Sequence, residues 1–281
     1  MSTPYKFLTG ISFGIFFFIY SPSALKAQGN LLINPKRVVF EGNKRIMDLN
    51  LANTGKDSAR YNVSFLQYRM KDDGSFEEIK VPDAGQNFSD KFLRIFPRTV
   101  VLGPNEAQVV KVQLTRTNLL VPGEYRSHLY FRAVPDMKPL GEDPKKDTSK
   151  TIFVKLVPIF GISIPVIIRV GESTSKVALT NLAFQTSEEN MPQLKMQFNR
   201  IGNMSVYGDL TVNHISAEGK STQVGIVKGI SVYTPNSKRK FLMSLDKTTG
   251  VNFREGKIEV LYNTQPDANS ELMARAELLL N

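Results

Sequence analysis

The sequence predicts an all-β chain folded as two tandem antiparallel sandwiches. Three observations lead there. Short runs that alternate apolar and polar residues recur along the chain, each bounded by turn residues. No long segment carries a convincing 3.6-residue apolar period. The length of 281 residues matches about two domains of roughly 100–150 residues each.

Residues 1–27 read as a cleaved signal peptide. Lys6 gives a charged start, Phe7 to Tyr20 is mostly apolar, and Ser21 to Ala27 is a small-residue cleavage region. A run that short spans about 21 Å as a helix, less than the roughly 30 Å hydrocarbon core. A retained N-terminal anchor is the competing reading. The first mature segments follow in alternation. Arg37-Val38-Val39-Phe40 leads into the turn Glu41-Gly42-Asn43-Lys44, and Ile46 to Leu51 into Asn53-Thr54-Gly55. Tyr61 to Phe65 is followed by the turn Lys71-Asp72-Asp73-Gly74, and further strands fall at Val109–Leu114 and Tyr125–Ala133. Pro135 to Lys150, with three prolines and many charges, reads as an exposed loop.

The next stretch, KTIFVKLVPIFGISIPVIIRVGE, is residues 150–172. Lys155 is its one charge between Ile152 and Ile168. Pro158, Gly161 and Pro165 interrupt it, so it is no membrane helix, which needs about 20 apolar residues. Its Val and Ile content favours a strand. Proline in a strand marks an edge, an end or a bulge. The most apolar strand of the chain is therefore expected at an edge, where it invites foreign strands. Val170 to Ser175 reads as a linker. Beyond it, strands are expected at 192–199, 206–215, 223–234, 239–245 and 257–263, with a last one near 271–280, a segment whose composition also suits a short helix.

Composition narrows the function. The chain has no cysteine and a formal charge of +10, of which +8 remains once Lys6 and Lys26 leave with the signal. A basic protein suits nucleic acid, anionic membranes or acidic proteins, and export argues against nucleic acid. Lys145-Lys146 and Lys238-Arg239-Lys240 are the dense clusters, both among loop-forming residues, so they read as solvated surface. His128 and His214 are the two histidines, and a lone strand histidine is more often structural than catalytic. Nucleophile-elbow, zinc-protease and phosphate-loop motifs are missing. Asp72-Asp73-Gly74 lacks the other ligands of a calcium loop. The neighbours Glu77-Glu78 and Glu188-Glu189 would point to opposite faces of a strand. The expectation is a protein that is not an enzyme, with no metal, no cofactor and no small-molecule substrate.

Several pieces in order carry a family resemblance. They are Asn34-Pro35-Lys36-Arg37-Val38-Val39-Phe40, Leu49-Asn50-Leu51-Ala52-Asn53, Phe96-Pro97-Arg98, Leu102-Gly103-Pro104-Asn105-Glu106-Ala107-Gln108 with Val109–Val112, Pro122–Arg126 and Ile164-Pro165-Val166. This order resembles the N-terminal domain of periplasmic pilus-assembly chaperones, the PapD-like family of chaperone–usher systems. The resemblance covers about 31–169. The second half fits the family by size and class, and its Phe198–Asp209 stretch looks like a strand and turn of chaperone-like relatives.

The resemblance implies two immunoglobulin-like domains set at an angle, spanning 28–170 and 171–281, in a protein of the periplasm. It implies donor-strand complementation, in which the last strand of the first domain fills the gap in an incomplete pilin before delivery to an outer-membrane usher. By period two, one face of that strand carries Ile152, Val154, Leu156, Pro158, Phe160, Ile162 and Ile164, and this set is assigned to the pilin groove. The opposite parity stays open, because some face must pack into the domain and a proline bulge can swap faces. The resemblance also implies a cleft anchor for the pilin's terminal carboxylate, matched by Arg37. The family's lysine partner falls at Pro165, so the anchor uses one cation, or another such as Arg169 joins it. Arg169 itself is assigned to an interdomain ion pair. The same edge would allow self-association. The alternative function is a two-domain immunoglobulin-like surface or adhesive protein.

Overall fold

The structure is a computed structural model and describes residues 30–135, 158–265 and 270–280. The first half contains β1 (Leu31–Asn34), β2 (Val38–Phe40), β3 (Ile46–Asn53), β4 (Ala59–Leu66), β5 (Tyr68–Met70), β6 (Phe76–Glu78), β7 (Leu93–Phe96), β8 (Thr99–Leu102), β9 (Ala107–Leu114), β10 (Gly123–Val134) and β11 (Gly161–Val170). They form two facing sheets, ordered β1-β3-β9-β7 and β2-β11-β10-β4-β8, while β5 and β6 make a separate hairpin. Two closely spaced strand pairs change sheet at a proline. Pro35 separates β1 from β2, and Pro97 separates β7 from β8. Proline has no N–H to continue a ladder, so it suits a crossing between sheets.

This is the strand arrangement of an immunoglobulin-like sandwich. The Tyr125 hydroxyl near the start of β10 supports it: it accepts from the Val121 N–H at 3.0 Å and donates to the Val121 carbonyl at 3.2 Å. Such a tyrosine corner is a mark of the fold. Inward side chains of both sheets, among them Phe40, Leu49, Leu51, Leu102, Leu129 and Phe131, make one core.

The second half contains β12 (Lys176–Thr186), β13 (Pro192–Ile201), β14 (Val206–Ile215), β15 (Ser221–Val232), β16 (Lys238–Ser244), β17 (Lys257–Thr264) and β18 (Leu272–Leu279). Its sheets are β12-β13-β16 and β15-β14-β17-β18. Buried and part-exposed residues alternate strictly along β14, the period expected of a sheet with one face in a core. Leu194, Met196, Phe198, Leu210 and Tyr262 fill that core. Among the described residues no strand ladder joins the two halves.

The all-β, two-sandwich expectation holds, and the segment near 271–280 is the strand β18. The sequence reading missed β12, whose pairing with β13 shifts register between Thr180 and Ala183. That irregularity breaks the alternation by which strands are read. The signal segment, the loop expected at Pro135–Lys150 except for Pro135, and residues 150–157 of the apolar ribbon lie outside the described residues.

Candidate strand-docking edge and cationic cleft

β11 pairs antiparallel with β10 along its whole length, from Gly161 opposite Arg132 to Val170 opposite Gly123. On its other margin it meets β2 in parallel, at Val166, Ile167 and Ile168 alone. From Gly161 to Pro165 the outer margin carries no strand among the described residues. The register also fixes which backbone groups face outward. The Ala133 N–H donates to the Phe160 carbonyl at 2.9 Å, so even-numbered residues of the ribbon turn their backbone groups toward β10. Backbone direction alternates residue by residue. The N–H groups of Gly161 and Ser163, and the carbonyls of Gly161, Ser163 and Pro165, therefore point to the open side. Proline at 165 withholds one donor there.

Arg37 stands where the open margin ends. Val38 is level with Val166, which puts Arg37 level with Pro165. Its guanidinium lies over the Tyr207 ring, 4.0 Å from the centroid, and 5.9 Å from that of Tyr233. Both tyrosines belong to the second sandwich, so Arg37 sits in the cleft between the halves. Its Nε and Nη1 are buried with no hydrogen-bond partner. Burial lowers the Arg37 pKa from the ordinary value, and the Arg169 charge adds to this. Arg126 approaches the opposite partner of the cluster, with its guanidinium 4.3 Å from the Tyr233 centroid. Its Nε and Nη1 are also unpartnered, while Nη2 donates to the Thr234 carbonyl at 3.3 Å.

Glu124 is the carboxylate at the heart of this cluster, 3% exposed. Its Oε2 accepts from the Ser205 N–H at 3.0 Å, the Ser205 hydroxyl at 2.7 Å and Arg169 Nε at 3.3 Å. Its Oε1 accepts from the Thr234 hydroxyl at 3.3 Å. Arg169 Nη2 donates to the Ser205 carbonyl at 2.9 Å. The Glu124 charge also acts on Arg37, Arg126 and Arg200. One buried carboxylate thus serves several guanidinium groups, and two of these keep unpartnered nitrogens. A buried cation left without an acceptor is costly, so the cleft is arranged to receive an anion.

The β5–β6 hairpin closes one side of the cleft. Its Met70 carbonyl accepts from Asn236 Nδ2 at 2.7 Å, and its Asp72 carbonyl from the Lys240 N–H at 2.6 Å. Gly74, at φ +83°, lies where a Cβ would collide with the Arg239 guanidinium. Tyr68 and Phe76 meet the His128 ring edge-on, at 4.9 and 5.6 Å between centroids. His128 is buried, its Nδ1 has no partner, and burial with the Arg126 charge beside it holds its pKa down to about 3. It is a neutral wall residue. His214 is buried elsewhere, with Nε2 2.9 Å from the Glu255 carbonyl.

The structure separates the residues assigned to the pilin groove. Ile164 is 4% exposed and lies in the core of its own sandwich, and Ile162 packs against that core. The even face of β11 is inward there, because the first sandwich must be filled, so neither residue is free to fill a partner's groove. Pro158 and Phe160 are exposed, Phe160 by 45%. Val154 and Leu156 lie outside the described residues. Arg169 also needs a correction. Its partner Glu124 lies opposite it on β10, so the ion pair is internal to the first sandwich, and the link across the halves runs through Ser205.

Arg126, Arg239, Tyr207 and Tyr233 were not found by sequence reasoning. One signal existed: Glu124, Arg126 and His128 recur at period two in a strand otherwise rich in apolar residues. That pattern marks a second, polar face that is nonetheless buried, and β10 is buried on both faces from Glu124 to Leu129.

No family model and no curated protein matches the chain. Among solved structures it is similar to the YadV chaperone, at 13% identity and a TM-score of 0.44, covering 90% of this chain and 100% of that one. It is similar to the CupB2 chaperone of Pseudomonas aeruginosa, at 15% identity and a TM-score of 0.42, over 88% of this chain and 98% of that one. It is also similar to the CsuC–CsuE chaperone–tip adhesion subunit pre-assembly complex of the archaic chaperone-usher Csu pili of Acinetobacter baumannii, at 14% identity and a TM-score of 0.42, over 89% of this chain and 98% of that one.

Proposed function

We propose that this chain is a subunit chaperone that caps incomplete immunoglobulin-like pilins by lending them the outer margin of β11. The observation that carries this reading is the margin from Gly161 to Pro165, which no strand covers among the described residues and which ends level with Arg37. A guest strand added there gains backbone hydrogen bonds, each worth about 1 kcal/mol net. It must stop where β2 takes over the margin. A strand that ends at this point brings its terminal carboxylate to Arg37, whose planar, unpartnered guanidinium suits that group.

Side chains are lent from the part of the ribbon before Gly161. On the even face Ile164 lies in the chain's own core and Ile162 packs against it, while Phe160 is exposed; Phe160, with Pro158, Leu156 and Val154 of the same parity in the sequence, is assigned to the guest's groove. The exchange needs no nucleotide, since better packing in the final fibre drives release. Export through residues 1–27 would place the work in the periplasm, and the capped subunit would pass to an outer-membrane usher.

Coexpression with a pilin subunit that lacks its last strand tests the reading. The subunit should copurify with the wild-type chain. Phe160→Asp should lower capture by about tenfold or more, because a charge is carried into an apolar groove, with the melting temperature unchanged at this exposed position. Capture by Phe160→Asp equal to wild type would remove the overhang from the contact. Failure of the wild type to stabilise the subunit would sink the chaperone reading.

A further inference from the structure

We infer that the cleft beside Arg37 is also a selectivity pocket for the guest's last side chain, and that it takes an aromatic or large apolar one. This rests on the anchor reading above and adds a second requirement to it.

The cleft has a volume of about 450 Å³. That falls within the range of small-ligand sites, roughly 300–1,000 Å³, and far exceeds what a carboxylate fills. Tyr68 and Phe76 of the hairpin form one wall, and Tyr207 and Tyr233 of the second sandwich form another. Phe76 and Tyr233 stand 6.1 Å apart between centroids, as neighbours at the junction of the two walls. Among the described residues the charges that line the cleft are all positive, Lys36, Arg37 and Arg239, with no Asp or Glu. A pocket of aromatic rings under cations fits a chain end: an apolar side chain among the rings, its carboxylate on a guanidinium.

Position supplies the occupant. Ser163 and Pro165, on the open margin of β11, also line this cleft. A guest strand that follows the margin therefore runs into it, and β2 blocks continuation beyond Val166. A guest parallel to β11, as β2 is on the same margin, brings its last residue to the cleft, whereas an antiparallel guest would bring its terminal ammonium against Lys36, Arg37 and Arg239. An acidic last side chain would find cations as well, but it would leave the aromatic walls unfilled.

Synthetic peptides of alternating apolar and polar residues provide the test, titrated onto the full chain by calorimetry. One ends in Phe with a free carboxylate, one in Gly with a free carboxylate, one in Asp with a free carboxylate and one in Phe amide. The Phe acid should bind about tenfold or more tightly than the Gly acid, the difference that burial of one large side chain produces. It should also outbind the Asp acid. Phe76→Ala should narrow the gap between the Phe and Gly acids to under about threefold. Equal binding of the Phe and Gly acids, or preference for the Asp acid, overturns the selectivity pocket while the acid-over-amide difference keeps the anchor. Equal binding of the Phe acid and Phe amide removes the anchor itself. Binding by none of the peptides removes both.

Discussion

The residues of the cleft show how one fold position takes opposite roles by neighbourhood. Arg169 and Arg37 are both cations of the first sandwich, yet Arg169 is held by Glu124 and the Ser205 carbonyl, while Arg37 rests on tyrosine rings with its Nε and Nη1 unpartnered. The first is held in place by acceptors, while the second is the proposed anchor of a carboxylate. His128 carries a testable consequence of the same crowding. Its ordinary pKa is 6.5 and its folded value is about 3. Above pH 6.5 it is neutral in both states and makes no difference. As pH falls below 6.5 the unfolded chain takes up the proton and the folded chain does not, so stability drops by about 1.4 kcal/mol per pH unit until pH 3. Between pH 7 and pH 5 this loss is roughly 2 kcal/mol. Denaturant unfolding at those two pH values should show the drop in the wild type and a smaller one, by about that amount, in His128→Gln. An equal drop in both would place the acid sensitivity elsewhere.

At the scale of the element, β11 divides its labour along its length. Its C-terminal half is enclosed by β10 on one side and β2 on the other, with Val166 and Ile168 fully inside the core. The half that begins at Gly161 has no strand on its outer margin among the described residues. Gly161 is required there because a Cβ would strike the Tyr130 ring, which lies over the strand. Truncation should expose this division. Ile164→Ala removes buried methyl groups and should cost about 2–5 kcal/mol of stability, read as a lower midpoint in denaturant. Its effect on subunit capture should follow only from the unfolded fraction. A variant with full stability would contradict the inward placement of Ile164.

At the scale of the whole molecule, no ladder joins the two sandwiches among the described residues; side chains and the backbone bond from the Lys240 N–H to the Asp72 carbonyl tie them. Glu124 is the hub: a single carboxylate holds Ser205 and Thr234 of the second sandwich and Arg169 of the first. The hairpin adds a second tie through Asn236 and Lys240, and Met70, Ile167 and Tyr233 form a small apolar cluster between them. The cleft exists only while the halves keep this relation, because its walls come from both. Removing a buried, hydrogen-bonded charge leaves its partners uncompensated and typically costs about 3–5 kcal/mol. Glu124→Ala should therefore uncouple the halves. Scanning calorimetry should show one transition in the wild type and two in the variant, and a single unchanged transition would show that the ties outside Glu124 suffice.

The alternating runs and the turn residues between them determined the all-β class, most of the strands and the tandem arrangement, because period two is a local property of the chain. Val, Ile and two prolines in the ribbon of 150–172 were enough to read an apolar strand, of which Gly161–Val170 is β11, and Arg37 was singled out through the family resemblance of its segment. β12 was not legible, because the register shift between Thr180 and Ala183 moves its apolar residues from odd positions, Val177 and Leu179, to even ones, Leu182 and Phe184. What only the tertiary structure decided was which face and which margin of β11 are free. Parity is equal in sequence on both sides of Gly161, and it is the reach of the core that buries Ile164, partly covers Ile162 and leaves Phe160 exposed. The cleft was hidden for the same reason. Arg37, Arg126, Arg239, Tyr207 and Tyr233 lie up to about two hundred residues apart along the chain, and they meet because residues of both sandwiches converge on the buried carboxylate of Glu124.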